Sequence, residues 1–178
     1  MHKSKLLMLF INLIGGTAVL GSYAWGALTH PGAGDVLWGG VPQGIRSFYT
    51  AGMFLAASGY FAFSYFILFR LPPKDTQVAG RFGFGVFNAI YAAILIPSGL
   101  WMPLTFLALD QSSPVLVWVV RLDLALVAVA SLSLLFTLIS VRPRQPVWAH
   151  RLAVIGVIGF CFQTVILDAI VWGANFGV

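Results

Sequence analysis

Long apolar runs separated by short polar segments account for almost the whole chain. Five runs are each long enough for a helix to cross a bilayer, which takes about 20 residues: residues 6–28, 45–69, 82–109, 115–140 and 152–176. The segments between them are rich in Gly, Pro and charged residues, which end helices. The pattern predicts an all-α membrane protein, in which residues 1–178 form one bundle of five transmembrane helices.

The first run also admits a second interpretation. Lys3 and Lys5 precede it, as positive charges precede the apolar core of a secretory signal peptide. The run is longer than such a core, and no A-x-A cleavage site closes it. We therefore expect it to be a retained transmembrane helix.

The positive charges predict how the bundle is oriented. Eight Lys and Arg residues flank the N-terminus, the second gap and the fourth gap, whereas Arg46 is alone in the other gaps and at the C-terminus. Cytoplasmic loops are enriched in Lys and Arg. The bias predicts that the N-terminus is inside and the C-terminus outside, and its alternation supports the count of five crossings.

The composition agrees with an integral membrane protein. Of the 178 residues, 60% are hydrophobic and 8% are charged, whereas a soluble domain has about 25% charged residues. The net charge of +5 does not indicate nucleic-acid binding, because the basic residues lie in separate loops and form no basic face. Cys161 is the one cysteine and can form no internal disulfide.

Three ionisable residues lie inside predicted helices, where a charge facing lipid is costly. From the rise of 1.5 Å per residue, Arg121 lies roughly 9 Å from the outer end of the fourth helix and Asp123 roughly 12 Å. Asp168 of the fifth helix lies at a similar depth. Arg121 and Asp123 point to different faces, so only one of them easily faces Asp168. Either Arg121 pairs with Asp168, which we predict as a direct or water-bridged contact, or it meets an acidic group of a ligand.

Aromatic residues gather towards the same outer side of the membrane. Some of them fit an interfacial belt, but Trp101 lies between two prolines inside the third helix and fits it less well. On an α-helix, Asp168, Trp172 and Asn175 share one face. That face is either a polar contact between helices or the wall of a pocket. The outer aromatics are Tyr23, Trp25, Trp38, Tyr49, Trp101, Trp118 and Trp172.

The sequence shows no convincing catalytic constellation. The three histidines, His2, His30 and His150, lie outside the predicted helices, so no pair of them can ligate a haem within the membrane. No metal-binding or nucleotide-binding motif is present. We therefore expect no cofactor, no metal and no catalytic residue, and a protein that is not an enzyme.

Two segments resemble the translocator protein family (TspO/MBR, the peripheral benzodiazepine receptors). Residues 91–106, which include Leu100-Trp101-Met102-Pro103, are similar to the third helix of the family and its L-W-x-P motif. Residues 167–175 are similar to its fifth helix, which has two Asn residues seven positions apart with an aromatic between them. Asp168 and Ser98 stand where the family usually has Asn. The resemblance implies a five-helix bundle, often dimeric, with a lipophilic pocket beneath the first loop.

The resulting hypothesis is a membrane protein that binds, transports or senses a lipophilic ligand, such as a tetrapyrrole or a sterol, in the outer half of the bundle. The first loop is expected to form a lid over the pocket. A structural or accessory subunit of a larger membrane complex is the alternative, and a small transporter with Asp123 and Asp168 as proton sites is a third. The expected partners are the lipophilic molecule, membrane lipid and a second copy of the chain, with no nucleic acid. The predicted ligand-binding residues are Trp38, Arg46, Tyr49, Ser98, Trp101, Arg121, Asp168, Trp172 and Asn175.

Overall fold

The computed structural model describes residues 2–30 and 32–177. Over these ranges, five helices are long and apolar enough to cross a membrane, and a short helix, α2 (Ala33–Val36), lies in the first loop. The predicted all-α, five-helix membrane fold is confirmed. The long helices are α1 (Lys3–Thr29), α3 (Gln43–Arg70), α4 (Gly85–Asp110), α5 (Pro114–Ser140) and α6 (Val147–Asn175).

The predicted helix ends lie close to the observed ones except at the start of α6. This helix begins at Val147 rather than at residue 152. Pro146 occupies the position before its first turn, where the missing N–H costs nothing. His150 of that turn is buried, and its Nε2 lies 2.8 Å from the Leu138 carbonyl oxygen of α5. The apolar run begins only after the charged Arg151, whereas the helix begins before this residue, at Val147.

The polar loops meet in pairs at opposite ends of the bundle. In the loop before α4, β1 (Gln77–Val78) pairs antiparallel with β2 (Val141–Arg142), which lies in the loop before α6. At the other end, the first loop contacts the end of α6, where Trp172 Nε1 donates a hydrogen bond to the Leu37 carbonyl oxygen at 2.7 Å. Five crossings require this alternation. Which end faces the cytoplasm stays a prediction.

The helices pack in the order α1–α4–α5–α6–α3, and the ring is open between α3 and α1. Among the described residues, these two helices make no comparably extensive contact. They meet near the β1–β2 end, where the Tyr60 hydroxyl donates to Asn12 Oδ1 at 2.6 Å. Apart from this contact the two helices leave a gap between them, here called the seam. Its edges carry side chains that also line the cavity described below and are largely exposed: Leu13, Leu20, Met53 and Phe61.

The closest helix contact lies between α3 and α6. Gly59 and Gly156 are both buried, and a Cβ atom built on Gly156 would lie 2.9 Å from Gly59 Cα. Small residues allow membrane helices to approach until their backbones touch. This contact holds α6 directly against α3, and these two helices carry Tyr49, Gln163 and Asp168 of the site.

Candidate functional site

A cavity of about 1070 Å³ extends from the α2 end of the bundle past its middle, as far as Leu9 and Phe61. Helices α1, α3, α4 and α6 form its walls, the first loop covers its end, and α5 contributes Leu124 and Val127. Most of its lining is apolar, as in known small-molecule sites. Six of the nine predicted ligand-binding residues line it: Trp38, Tyr49, Ser98, Trp101, Asp168 and Trp172.

A small polar network lies on the α3–α6 side of the cavity. The Tyr49 hydroxyl donates a hydrogen bond to Asp168 Oδ1, and Gln163 Nε2 donates to the same oxygen at 2.8 Å. Gln163 lies five residues before Asp168, on a stretch of α6 that runs as a π-helix over Phe162–Trp172. A π-helix bonds residue i to residue i+5, so side chains with this spacing come close together. π-Helical turns occur frequently at functional sites.

Aromatic rings form the part of the wall nearest the first loop. The rings of Trp101 and Trp172 meet edge to face, with centroids 5.4 Å apart, and Tyr23 lies 5.9 Å from Trp101. Trp38 contacts Tyr49 edge to face at 5.5 Å. The indole N–H of Trp101 is buried and has no hydrogen-bond acceptor among the described residues. Such a wall presents apolar ring surface and the unused indole N–H of Trp101 to the cavity.

Ser98 lines the cavity, but its hydroxyl group serves its own helix. Ser98 Oγ donates to the Ile94 carbonyl oxygen at 2.7 Å. Pro97 and Pro103 lie inside α4, and each lacks the N–H of an ordinary helical residue. Thr105 Oγ1 makes a similar bond to the Trp101 carbonyl oxygen at 2.7 Å. These hydroxyls supply additional donors to the backbone of α4 near its two prolines.

The first loop covers the cavity, as predicted for a lid, but Arg46 takes no part in the lining. Arg46 Nε donates to the Val41 carbonyl oxygen at 3.2 Å, and its guanidinium carbon lies 5.4 Å from the centroid of the Trp38 ring. Its Nη1 is 4.0 Å from Asp35 Oδ1. Arg46 therefore holds the loop in shape and supports Trp38, which does line the cavity.

The predicted direct contact between Arg121 and Asp168 is not formed in the described part of the chain. Arg121 Nε donates to the Gly173 carbonyl oxygen at 2.8 Å, and a terminal guanidinium nitrogen donates to that of Phe176 at 2.9 Å. The last carbonyls of a helix have no partner within the helix. Arg121 supplies hydrogen-bond donors to two such carbonyl oxygens at the end of α6. Its guanidinium group also lies over the ring of Trp118. Neither Arg121 nor Trp118 lines the cavity. The alternative, in which Arg121 meets an acidic group of a ligand in the pocket, is not supported by this position.

Asn175 also lies outside the cavity. Its side chain is exposed, and Nδ2 donates to the Val171 carbonyl oxygen at 2.7 Å. The prediction that it shares a face with Asp168 and Trp172 assumed 3.6 residues per turn. The π-helix has wider turns, so seven residues no longer return to the same face.

The sequence analysis missed Gln163 and Asn12, two polar residues in the cavity lining. Gln163 is buried, and its Oε1 has no donor among residues 2–30 and 32–177. Its surroundings include Gly52, where an added Cβ would lie 2.5 Å from that oxygen. The signal was available, because an uncharged amide inside an apolar run also has to face protein.

Asp123 is separate from this network. It is buried on α5, does not line the cavity, and its Oδ2 has no hydrogen-bond donor in the described part of the chain. In the same part, no three His, Cys, Asp or Glu side chains are grouped as metal ligands would be. Two acids in one relay, as the transporter hypothesis requires, are therefore not brought together in the cavity.

Comparisons of this chain with protein-family models, with curated proteins and with solved structures find no match.

Proposed function

We propose that this integral membrane protein binds a flat lipophilic molecule, of the tetrapyrrole or sterol type, in the cavity beneath the first loop. The cavity itself carries the proposal. It has the size of a small-molecule site, is lined mainly by apolar and aromatic side chains, and brings Tyr49, Gln163 and Asp168 together on one side. Such a concentration of polar groups orients a ligand, whereas helices that only dock against each other need no internal space.

The resemblance to the translocator protein family supports the same proposal. Trp101 comes from the segment similar to the third helix of that family, and Asp168 and Trp172 come from the segment similar to the fifth. Although these segments are far apart in the chain, all three residues line one cavity. Sensing or transport of such a ligand would also require that the ligand first binds in this cavity.

The test measures binding of two flat, neutral probes, a fluorescent sterol and a porphyrin diester. The protein is placed in phosphatidylcholine nanodiscs, and binding to empty nanodiscs is subtracted. We expect saturable binding at about micromolar concentration. Trp101→Ala and Trp172→Ala should each weaken it about tenfold, because each removes stacking area from the wall. Probe fluorescence or absorbance is followed, since these variants lack a tryptophan.

Trp25→Ala is the matched control. Trp25 lies at the same end of the bundle and contacts His30 and Phe106, but it does not line the cavity. Its loss should leave binding within about twofold of the parent. Absence of binding of both probes to the parent would refute the proposal, and so would equal binding by all three variants. The accessory-subunit alternative would then take its place.

A further inference from the structure

The cavity lining carries negative charge and no positive charge among the described residues. Asp168 is the only charged side chain among the described residues that line it, and no Lys, Arg or His is included. The two arginines nearest in the fold are committed elsewhere. Arg46 bonds the backbone of the first loop, and Arg121 bonds the end of α6. An anionic group in the cavity would therefore meet a carboxylate and find no cation.

The carboxylate of Asp168 is also incompletely satisfied. Tyr49 and Gln163 both donate to Oδ1, and Oδ2 receives no hydrogen bond from any residue in the described ranges. The two bonds fix the orientation of the carboxylate, because they come from different helices. A carboxylate within the membrane is stable only when it is paired or hydrogen-bonded. Oδ2 is therefore free to accept a hydrogen bond from a bound molecule.

The surrounding rings favour the same kind of group. Trp38, Trp101 and Trp172 all line the cavity with Asp168, and the face of an aromatic ring attracts a cation, most strongly in a dry site. Arg46 already lies over one face of Trp38, and one face of Trp172 stacks on Phe176, so each of these two rings has at most one face left for a ligand. Resting on the proposed function, we infer that the ligand is a lipophilic amine. Its ammonium group binds Asp168 Oδ2, while its apolar body lies against the tryptophans. The site discriminates against ligands that carry a carboxylate.

The test uses one fluorescent sterol skeleton with three groups at the same position: a hydroxyl, an amine and a hemisuccinate. Phosphatidylcholine nanodiscs are used, because this zwitterionic lipid has no net charge and its surface favours neither ion. We expect the amine to bind the parent about ten- to a hundredfold more tightly than the alcohol, as for a hydrogen bond between charged groups. The hemisuccinate should bind more weakly than the alcohol. Affinities are corrected for partitioning into empty nanodiscs.

Asp168→Asn removes the charge and keeps an oxygen that can accept the bonds of Tyr49 and Gln163. It should abolish the preference for the amine over the alcohol. Asp123→Asn is the matched control, because it removes a buried carboxylate that does not line the cavity. It should leave the preference unchanged.

The outcomes separate the inference from the proposed function. If the alcohol binds but the amine gains nothing, or the hemisuccinate binds best, the ligand class is wrong and the binding function stands. If the preference for the amine persists in Asp168→Asn, its origin is not this carboxylate. If no member of the series binds the parent, both proposals fail. The parent series is decisive even if a variant does not fold.

Discussion

The contact between Gly59 and Gly156 predicts that alanine at position 156 destabilises the bundle. In Gly156→Ala, the new methyl group would lie 2.9 Å from both Cα and the carbonyl oxygen of Gly59, and 3.2 Å from Cβ of Ala62. Two of these three neighbours are backbone atoms, which cannot rotate away. The strain therefore has to be relieved by moving α3 and α6 apart.

The size of the effect follows from these distances. Carbon atoms pack at about 3.5–4.0 Å, so the helices must separate by roughly 0.6–1 Å at the crossing. Overpacking of this kind costs about 1–3 kcal/mol. For a chain of this length, each kcal/mol lowers the melting temperature by about 2–4 °C. We expect a decrease of about 2–12 °C.

Melting is measured in detergent with a thiol-reactive dye that fluoresces when it captures a cysteine. Cys161 is the one cysteine of the chain and is buried in the bundle, so it reacts when the helices open. Gly21→Ala is the control. A Cβ atom on Gly21 would meet nothing within 4 Å, and alanine is the better helix former. This variant should melt at or above the temperature of the parent.

Equal melting temperatures for Gly156→Ala and Gly21→Ala would contradict the close contact between α3 and α6. Because Cys161 lies on α6 itself, a local shift of that helix could expose it early. Tryptophan emission is therefore recorded in the same scan. A decrease seen with the dye alone would show a local opening and would contradict a loss of stability of the whole bundle.

Two further predictions concern the end of α6 and the orientation of the bundle. Arg121→Gln should lower the free energy of unfolding by about 2 kcal/mol, because two charge-assisted bonds to helix carbonyls are lost. The effects of Arg121→Gln and Asp168→Asn on the free energy of unfolding should add within about 0.5 kcal/mol, since the two side chains share no hydrogen bond. A coupling energy above about 1 kcal/mol in the double variant would show that the two residues do interact as an ion pair. For orientation, a reporter active only in the cytoplasm should be silent when fused to the C-terminus and active when inserted at residues 71–81; the reverse pattern would invert the bundle.

The helices could be predicted from the sequence because hydropathy is summed over some 20 residues, so single errors average out. Trp101 could be predicted as a residue of the cavity wall for a different reason. An interfacial belt does not explain an indole between two prolines, and the alternative was a pocket wall. Asp168 could be placed because a charge inside an apolar run must face protein or water.

The details that escaped prediction depend on register and on tertiary contacts. Nothing in the composition of residues 162–172 distinguishes a π-helix from an α-helix, and this difference separated Asn175 from Asp168 and paired Gln163 with Asp168 instead. The partner of Arg121 depends on where the last turn of α6 ends in space. A single sequence contains the charge of Arg121 but not the free carbonyl oxygens of Gly173 and Phe176.

For the ligand proposed above, the seam between α1 and α3 determines which solvent the molecule would leave on binding. Leu20 and Phe61, on its two edges, are each 73% exposed and line the cavity at the same time. In a bilayer these edges face acyl chains, so a ligand that enters sideways exchanges one apolar environment for another. Burial of apolar surface then contributes little, because lipid tails are about as apolar as leucine. Occupancy follows the mole fraction of ligand in the bilayer, and discrimination between lipophilic molecules depends on ring shape and on the few polar atoms around Asp168.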